Sequence, residues 1–401
     1  MMIPITKPFI GEEEKKAIVS VIESGWLVQG EKVNEFEKRI AVHEGVQYCC
    51  ATTSCTSALH IAMLSEGMCS NMDVIVPSFT FVATANAVTA TGATPIIVDV
   101  DPYTYNLSAE KVEKYIDDHY VVRDDKVVNS TTGNILWGIV PVHQFGLCAD
   151  MLRLNRIAHK YKLKIIEDAA CALGSKIEET HIGGFGNTAC ISFHPRKSIT
   201  TGEGGMILTN DLTVYERAIE LRNHGSAINS SERHNNMGNL LPSYVINGYN
   251  YRMTDIQGAL GCEQVKRLDN ILGVRRDKAH YYDKLLSNKS EVIKIPFVPE
   301  GYYHTYQSYV CRLDFSDNSL SCGLKRNEVM KGLNEFGIAT RQGTHAVHKL
   351  EYYQTKYGYC DGDLPVADMC DMCTISLPLF VTMTDYEQQY VVEKLLEFVE
   401  K

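Results

Sequence analysis

The 401-residue chain lacks any apolar run approaching the length of about 18 residues that is needed to span a bilayer. Its N-terminal segment also lacks the basic and apolar regions of a secretory signal, since the acidic run Glu12, Glu13 and Glu14 follows closely. We therefore expect a cytoplasmic protein that has no membrane partner.

Basic charge is in deficit, with 39 Lys and Arg against 49 Asp and Glu and a net charge of −10. A broad surface for nucleic acid needs a basic excess, so no nucleic-acid partner is expected. The contents of 45% hydrophobic and 22% charged residues are those of an ordinary globular protein, which excludes disordered and collagen-like chains. The length predicts about two domains.

The 13 cysteines lack a metal-ligand pattern. Cys370 and Cys373 form the only C-x-x-C, and no second pair stands at zinc-ribbon spacing. Cysteines of this kind pack as small hydrophobic side chains in a reducing compartment, so the sequence predicts no metal site. A G-x-G-x-x-G motif after the first strand is also missing, which argues against a nicotinamide cofactor.

Between residues 48 and 209, short β-branched runs alternate with helical stretches. Several of the runs are apolar throughout, as expected for strands covered on both faces. The predicted strands are 48–52, 74–77, 96–100, 139–143, 163–168, 189–193 and 206–209, and the predicted helices between them include 56–64, 83–90 and 152–161. This pattern predicts a large, doubly wound α/β domain with a mostly parallel mixed sheet.

Helical patterns precede this region, and the character of the chain changes after about residue 252. The predicted elements outside the central region are helices 12–24, 32–43, 326–336 and 385–399, a long amphipathic stretch 255–282 and a strand 308–315. We assign residues 1–255 to the large domain and residues 256–401 to a smaller C-terminal α+β domain. Residues 121–137 contain two turn signals and are predicted to be an inserted hairpin.

A lysine follows directly after one predicted strand. Lys197 lies just beyond the strand that ends at Phe193, where open α/β sheets place their ligands. A surface lysine in a turn is the simpler interpretation, but Pro195 and the glycines at 202, 204 and 205 favour a rigid loop that admits a ligand. A lysine in this position could form a Schiff base with a carbonyl cofactor.

Asp168 ends another apolar strand, so its carboxylate is expected to be partly buried at the same sheet edge. A buried carboxylate needs a cationic partner, and on position alone a pyridinium nitrogen and an arginine are equally good candidates. Thr56 and Ser57 open a helix whose N-terminus could bind a phosphate, although capping by such residues is common. Phe81 could stack on a planar ring or pack in the core. Together these features suit pyridoxal phosphate.

Blocks of residues along nearly the whole chain resemble the DegT/DnrJ/EryC1/StrS family of sugar aminotransferases, which have the aspartate-aminotransferase-like fold type I. The matching stretches are 24–30, 56–60, 77–86, 98–101, 167–170, 192–205, 222–225, 248–253 and 376–380. The resemblance implies a reaction in which pyridoxal 5′-phosphate (PLP) alternates with pyridoxamine 5′-phosphate.

The resemblance also implies roles for individual residues. Lys197 would bind the cofactor and shuttle a proton, and Asp168 would keep the pyridine nitrogen protonated. Phe81 would stack on the ring. Phosphate binding would fall to Thr56, Ser57 and Ser192, with Asn250 reaching the phosphate of a neighbouring subunit, which implies a homodimer with shared active sites. Burial and the nearby cationic ring are expected to lower the pKa of Lys197.

The chain departs from the commoner family pattern in three places. Cys171 stands where many members have Gln or His near the ring hydroxyl, and a thiol is a weak donor. The insertion 121–137 is longer than usual and is expected to alter the substrate-side rim. The block 340–348 also differs, and within it Arg341 and His345 are candidate substrate residues, as is Arg252 in the matching block before it; a structural role for His345 is an equal alternative.

The leading hypothesis is a ping-pong transfer of an amino group from an amino acid, taken to be L-glutamate, to a nucleotide-linked keto sugar for amino-sugar and polysaccharide biosynthesis. One alternative keeps the cofactor and changes the acceptor to a small phosphorylated ketone such as dihydroxyacetone phosphate. A second alternative is a non-catalytic PLP-binding regulatory protein.

Overall fold

A nine-stranded sheet forms the centre of the N-terminal domain in the computed structural model, which describes residues 2–226, 243–315 and 319–400. The strands in chain order are β1 (Tyr48–Thr52), β2 (Met72–Pro77), β3 (Phe79–Thr80), β4 (Thr94–Val98), β5 (Tyr120–Arg123), β6 (Lys126–Asn129), β7 (Ile135–Ile139), β8 (Lys164–Asp168), β9 (Lys176–Ile177), β10 (Thr180–His181), β11 (Thr188–Ser192), β12 (Gly205–Thr209), β13 (Ile293–Lys294), β14 (Tyr302–Tyr303), β15 (Tyr309–Leu313), β16 (His345–Ala346) and β17 (Thr374–Leu377).

The helices cover both faces of this sheet and build most of the C-terminal domain. In chain order they are α1 (Glu12–Ser24), α2 (Glu31–Glu44), α3 (Cys55–Ser65), α4 (Ala83–Ala90), α5 (Ala109–His119), α6 (Met151–Tyr161), α7 (Leu212–Arg222), α8 (Asp255–Val265), α9 (Leu268–Leu286), α10 (Ser319–Glu335), α11 (Glu351–Tyr357), α12 (Pro365–Cys373) and α13 (Asp385–Val399). The predicted stretch 255–282 is therefore two helices, α8 and α9.

The order of the main sheet is β1-β12-β11-β8-β7-β2-β4, with β6 pairing with β7 and β5 pairing with β6. Strand β12 is antiparallel to both of its neighbours, whereas the pairs from β11 through β8, β7 and β2 to β4 are parallel. The mostly parallel mixed sheet predicted from the sequence is confirmed. The carboxyl ends of the parallel strands therefore meet at one edge of the sheet.

One predicted strand was placed wrongly. The sequence predicts a strand at 139–143, but β7 spans Ile135–Ile139. Pro141 has no N–H to donate to a neighbouring strand, so the regular pairing stops before it. The chain nevertheless stays beside β8, since the His143 N–H donates to the Asp168 carbonyl at 3.0 Å.

The insertion contains the predicted hairpin but lies at an unexpected place. Strands β5 and β6 form an antiparallel pair, and Trp137, which the sequence assigned to the hairpin, belongs to β7. The hairpin is tied to Asp73 near the start of β2, through the Tyr120 hydroxyl at 2.8 Å and the Asn129 amide at 3.1 Å. The insertion therefore lies at the amino ends of the strands, opposite the edge where it was expected to modify a substrate rim.

Helix α2 packs on α8 and is capped by it. Val33, Phe36 and Ile40 form the buried apolar face that their spacing predicts. Asp255, the first residue of α8, accepts hydrogen bonds from the N–H groups of Gly30 at 2.7 Å and Val33 at 3.0 Å. A carboxylate at this position satisfies N–H groups that have no partner within the helix and complements the helix dipole.

The C-terminal domain is an α+β unit around the antiparallel sheet β13-β15-β17. Its core includes Tyr282, Tyr309 and Leu333 together with Ile3 from the start of the chain. Because Ile3 pairs with Ile338, the first residues pack with this domain. The division at residue 255 stays a prediction. Within the described ranges, every helix is too short or too polar to cross a membrane.

Candidate active site

A cavity of about 610 Å³ opens at the carboxyl ends of the parallel strands, between the two domains. It brings together side chains that are far apart in the sequence. The predicted site residues in its wall are Thr56, Phe81, Asp168, Cys171, Ser192, Lys197 and Arg341. Ser57, Asn250, Arg252 and His345 are not part of this wall.

Asp168 lies at the end of β8, and its side chain is buried. Its Oδ2 atom accepts a 2.6 Å hydrogen bond from the Thr84 hydroxyl, and its Oδ1 atom accepts one of 3.1 Å from the Ala170 N–H. Burial raises the pKa of Asp168, while these two hydrogen bonds and the charge of Lys197 counteract the rise, and the net shift is upward. A buried carboxylate of this kind is stabilised by a cation at the cavity side.

Lys197 follows β11 in a loop that closes on itself. The Phe193 N–H donates to the Gly204 carbonyl at 2.9 Å, and the Lys197 N–H donates to the His194 carbonyl at 2.8 Å. The side chain of Lys197 is half-buried, and its Nζ atom donates to Cys171 Sγ at 3.1 Å. The loop therefore aims the amine at the thiol that follows Asp168.

The expected lowering of the Lys197 pKa refers to the enzyme with its cofactor bound and stays a prediction, and in the polypeptide alone the pKa is raised. Burial does lower this pKa, but the charge and the hydrogen bond of Cys171, together with the charges of Cys55 and Asp168, raise it more. The net direction is upward. The expectation counted burial and a cationic ring but not the direct contact of the amine with the Cys171 thiol.

The N-terminus of α3 forms one corner of the cavity. Ser54 caps this helix, because its Oγ atom accepts from the Ser57 N–H at 3.1 Å while Ser57 Oγ accepts from the Ser54 N–H at 3.0 Å. The hydroxyl of Ser57 is therefore engaged in the cap and buried, whereas Thr56 is exposed to the cavity. Ser192, at the end of β11, lines the same corner. Free N–H groups and hydroxyls at a helix N-terminus suit a phosphate.

Gly205 allows this corner to form. A Cβ atom on Gly205 would lie 2.3 Å from both the carbonyl carbon and the carbonyl oxygen of Ser54. Any other residue would push the start of α3 away from the loop that carries Lys197. Phe81 lies on the other side of the cavity and is 63% exposed, so it is not packed in the core and offers a ring face to a ligand.

The block 340–348 reaches the cavity through residues 341–344, just before β16, which pairs with β3. Arg341 lines the cavity, while His345 is exposed outside its wall, with Nδ1 2.8 Å from the Gln342 amide. His348 in the same block is buried and its Nε2 atom lies 3.1 Å from Asp368, so it has a structural role. The block thus contributes Arg341 to the cavity and places the two histidines elsewhere.

Asn250 and Arg252 lie on a separate surface of the same domain. Asn250 is exposed and its backbone pairs with Asn223, whose side chain accepts a 2.8 Å hydrogen bond from Arg252 Nη1. Because neither residue lines the cavity of its own chain, a role for Asn250 requires a second subunit. That role stays a prediction.

Sequence reasoning missed two residues at this site. Thr84 positions the carboxylate of Asp168, and its place one helical turn after Phe81 was the available signal. Arg196 lines the cavity beside Lys197. Burial lowers the pKa of Arg196 and the charge of Arg341, which lines the same cavity, lowers it further. This pair makes part of the cavity a favourable place for an anion.

The chain matches a known protein family along most of its length. The model of the DegT/DnrJ/EryC1/StrS aminotransferase family matches residues 8–396. The chain is 33% identical to the spore coat polysaccharide biosynthesis protein SpsC of Bacillus subtilis, over 99% of this chain and 97% of SpsC. It is 31% identical to GDP-perosamine synthase of Escherichia coli O157:H7, over 99% of this chain and 98% of that protein. The structure of NtdA from Bacillus subtilis with the bound cofactor PMP (pyridoxamine 5′-phosphate) superposes with a TM-score of 0.81 at 27% identity, covering 98% of this chain and 83% of NtdA.

Proposed function

The chain belongs to the DegT/DnrJ/EryC1/StrS aminotransferase family, and from this membership we propose that it transfers an amino group from L-glutamate to a nucleotide-linked keto sugar. Like the other members of its family, it is a PLP-dependent aminotransferase. Its relatives are named for sugar and polysaccharide biosynthesis. The enzyme class argues against a purely regulatory protein. The identity of the amino donor, the nucleotide link and the ping-pong order are the parts that we propose.

The residues of the cavity fit PLP. Asp168 is a buried carboxylate whose hydrogen-bond donors are a hydroxyl and a backbone amide and not an arginine, which leaves the pyridinium N–H as the better of the two partners considered from the sequence. Phe81 offers an open ring face, and Thr56 and Ser192 stand at a helix N-terminus. The convergence of Lys197 and Asp168 on one cavity is the observation that carries the proposal.

When bound, PLP would supply an electron sink for the pair of electrons released when the Cα–H bond of the amino donor breaks. Lys197 Nζ would bind the aldehyde carbon of the cofactor in the resting enzyme. With its Nζ atom free, Lys197 would carry the proton from Cα of the donor to C4′ of the cofactor. The contact with Cys171 raises the pKa of Lys197 in the polypeptide. For the amine to be neutral, the positive charge of the bound ring, or loss of the contact with Cys171, would have to lower that pKa.

Asp168 would hold the proton on the ring nitrogen, which keeps the ring electron-poor. The Thr84 hydroxyl would fix the carboxylate and keep it ionised, since its hydrogen bond lowers the pKa of Asp168. Thr56, Ser192 and the N-terminus of α3 would bind the phosphate. The Ser57 hydroxyl would act mainly by capping that helix.

Two cationic side chains, Arg196 and Arg341, line the cavity, and their positive charge supports the proposal of an anionic substrate. Both line the cavity beside Lys197, and guanidinium groups bind carboxylates and phosphates in a defined geometry. A nucleotide-linked sugar carries phosphates, and L-glutamate carries a second carboxylate, so the same two groups could serve both half-reactions. Asn250 would complete the phosphate site of a partner subunit in a homodimer.

A small phosphorylated ketone such as dihydroxyacetone phosphate is the second candidate acceptor. It is favoured by the placement of Arg341, which comes from the divergent block 340–348 and would also bind a single phosphate. The two acceptors differ in size. An extended nucleotide needs contacts beyond the arginine pair, whereas the small ketone does not.

Chemical trapping tests the assignment of Lys197. Borohydride reduction of the PLP-loaded enzyme should fix the cofactor on the peptide that contains Lys197, and K197A should lose both the label and turnover. K289A is the matched control, because Lys289 is exposed and does not line the cavity. A label on any other lysine would disprove the assignment.

Half-reactions identify the substrates. Glutamate should bleach the visible absorption of the PLP-loaded enzyme, which leaves the pyridoxamine form. A member of a panel of nucleotide-linked keto sugars should then convert this form back to the PLP form, and dihydroxyacetone phosphate should not. Return of the PLP form with dihydroxyacetone phosphate alone would favour the small phosphorylated ketone as the acceptor. A failure of glutamate with success of another amino acid would correct only the donor.

A further inference from the structure

A second cluster of potential ligands lies outside the cavity, where helix α2 ends. It consists of His43 and Glu44, the last two residues of α2, and His181 in β10. One nitrogen or oxygen atom from each residue lies within 4.8 Å of the others. The mechanism proposed above uses none of these residues.

Glu44 is buried, and its two carboxylate oxygens have different surroundings. Oε1 accepts hydrogen bonds from His43 Nδ1 at 2.7 Å and from the Gly174 N–H at 3.0 Å. Among the residues that the structure describes, none is a hydrogen-bond partner of the buried Oε2, and the same holds for His181 Nδ1, which lies 3.5 Å away. A buried oxygen and a buried ring nitrogen thus face each other without the geometry of a hydrogen bond, an arrangement that calls for a third group.

The spacing of these two atoms matches that of ligands on one tetrahedral ion. Bonds of about 2.0–2.2 Å at a tetrahedral angle place two ligand atoms about 3.3–3.6 Å apart. The 3.5 Å between Glu44 Oε2 and His181 Nδ1 lies within that range.

His43 has the outer partner that a metal-binding histidine usually has. Its Nε2 atom lies 3.0 Å from Oδ1 of Asp269 at the start of α9. A carboxylate at one ring nitrogen fixes the tautomer and leaves the other nitrogen as the donor to a metal. In this cluster the other nitrogen is Nδ1, and its proton, which it donates to Glu44 Oε1 in the metal-free protein, would be released when the ion binds. The Gly174 N–H orients the Glu44 carboxylate in the same way.

We propose that His43, Glu44 and His181 form a binding site for a divalent transition-metal ion, with Zn²⁺ as the best fit. Two imidazoles and a carboxylate favour such an ion over Mg²⁺ or Ca²⁺, which prefer oxygen ligands. With three protein ligands, water occupies the fourth position. The ion joins α2 to β10. Through Glu44 and the Gly174 N–H it also holds the chain segment that carries Asp168 and Cys171, so it stabilises the backbone behind the active site.

Calorimetric titration of the PLP-loaded, chelator-treated protein with ZnCl₂ tests the proposal. We expect one Zn²⁺ per chain, with binding weakened at least about tenfold in H181Q and in E44Q. H159Q is the matched control, because His159 is exposed on α6 and lies outside the cluster. The circular dichroism of each variant without zinc shows whether it is folded.

X-ray absorption at the zinc edge identifies the ligand atoms, which matters because the chain has 13 cysteines. We expect nitrogen and oxygen ligands at about 2.0–2.1 Å. A sulfur shell near about 2.3 Å would place the ion on cysteines and overturn the proposal. Absence of saturable binding, or equal binding by the folded H181Q and E44Q variants, would overturn it as well.

Discussion

Lys197 Nζ donates a 3.1 Å hydrogen bond to Cys171 Sγ, so the amine that would bind the cofactor is in contact with a cavity residue that departs from the commoner family pattern. The thiol raises the pKa of the lysine. Cys171 therefore contacts the amine itself, whereas the sequence placed it only near the ring hydroxyl, as a weak donor.

Removal of this thiol should change the titration of Lys197. Since Cys171 raises the pKa of Lys197, C171A should lower it, and the neutral amine should form at lower pH. The pH dependence of covalent modification of Lys197 in the cofactor-free protein, followed by mass spectrometry, measures the shift. C69A is the control, because Cys69 is exposed outside the cavity. An unchanged midpoint in C171A would contradict the coupling.

Loss of the Thr84 hydroxyl should impair catalysis without preventing folding. The 2.6 Å hydrogen bond to Asp168 lowers the pKa of that carboxyl, so T84V should raise it and move the acidic limb of the kcat profile to higher pH. At the optimum, kcat should fall by about ten- to a hundredfold, as expected for loss of a hydrogen bond to a charged group.

The matched control for Thr84 lies on the same helix. Thr89 donates to the Ala85 carbonyl at 3.0 Å and does not line the cavity, so T89V should leave the pH profile unchanged. If T84V and T89V gave the same profile, Thr84 would have only a structural role.

Replacement of Arg341 should weaken substrate binding. R341A removes one of two neighbouring cations at the cavity, and KM for the anionic substrates should rise by about three- to tenfold with little change in kcat. R196A should have a similar effect, whereas R153A, on the exposed face of α6, should not. Steady-state kinetics at two salt concentrations measure this. An unchanged KM in both cavity variants would exclude the proposed anion contact.

A side chain at position 205 should destabilise the protein and loosen the phosphate corner. The Cβ atom of G205A would lie 2.3 Å from the Ser54 backbone, so we expect a loss of about 1–3 kcal/mol in the free energy of unfolding and weaker binding of PLP. Urea unfolding and cofactor titration measure the two effects.

Gly273 provides the opposite control. It lies within α9, and a Cβ atom there would meet nothing within 4 Å. G273A should therefore raise the free energy of unfolding by up to about 1 kcal/mol, because alanine favours helix over glycine. An equal free energy of unfolding for G205A and the natural protein would contradict the prediction, because it would show that the backbone at Ser54 moves to accommodate the added Cβ atom without loss of stability.

The order of elements and the edge of the sheet that holds the site follow from the sequence. Apolar runs bounded by turn residues predict the strands, and parallel strands bring their carboxyl ends together, so Asp168, Ser192 and Lys197 could be assigned to one edge. The misplaced strand 139–143 shows the limit of this reasoning. The residues around Pro141 are apolar enough for a strand, but the backbone cannot pair there.

Contacts between residues distant in the sequence were decided only by the tertiary structure. Hydrophobic periodicity indicates whether a residue faces the core but not which residue it meets across a loop. The contact of Cys171 with Lys197 and the presence of Arg196 and Arg341 in one cavity therefore have no sequence signature. The cluster of His43, Glu44 and His181 is of the same kind, since the last two are 137 positions apart in the sequence and no ligand spacing links them. Local pattern thus determined which elements form, and packing determined which side chains face one another.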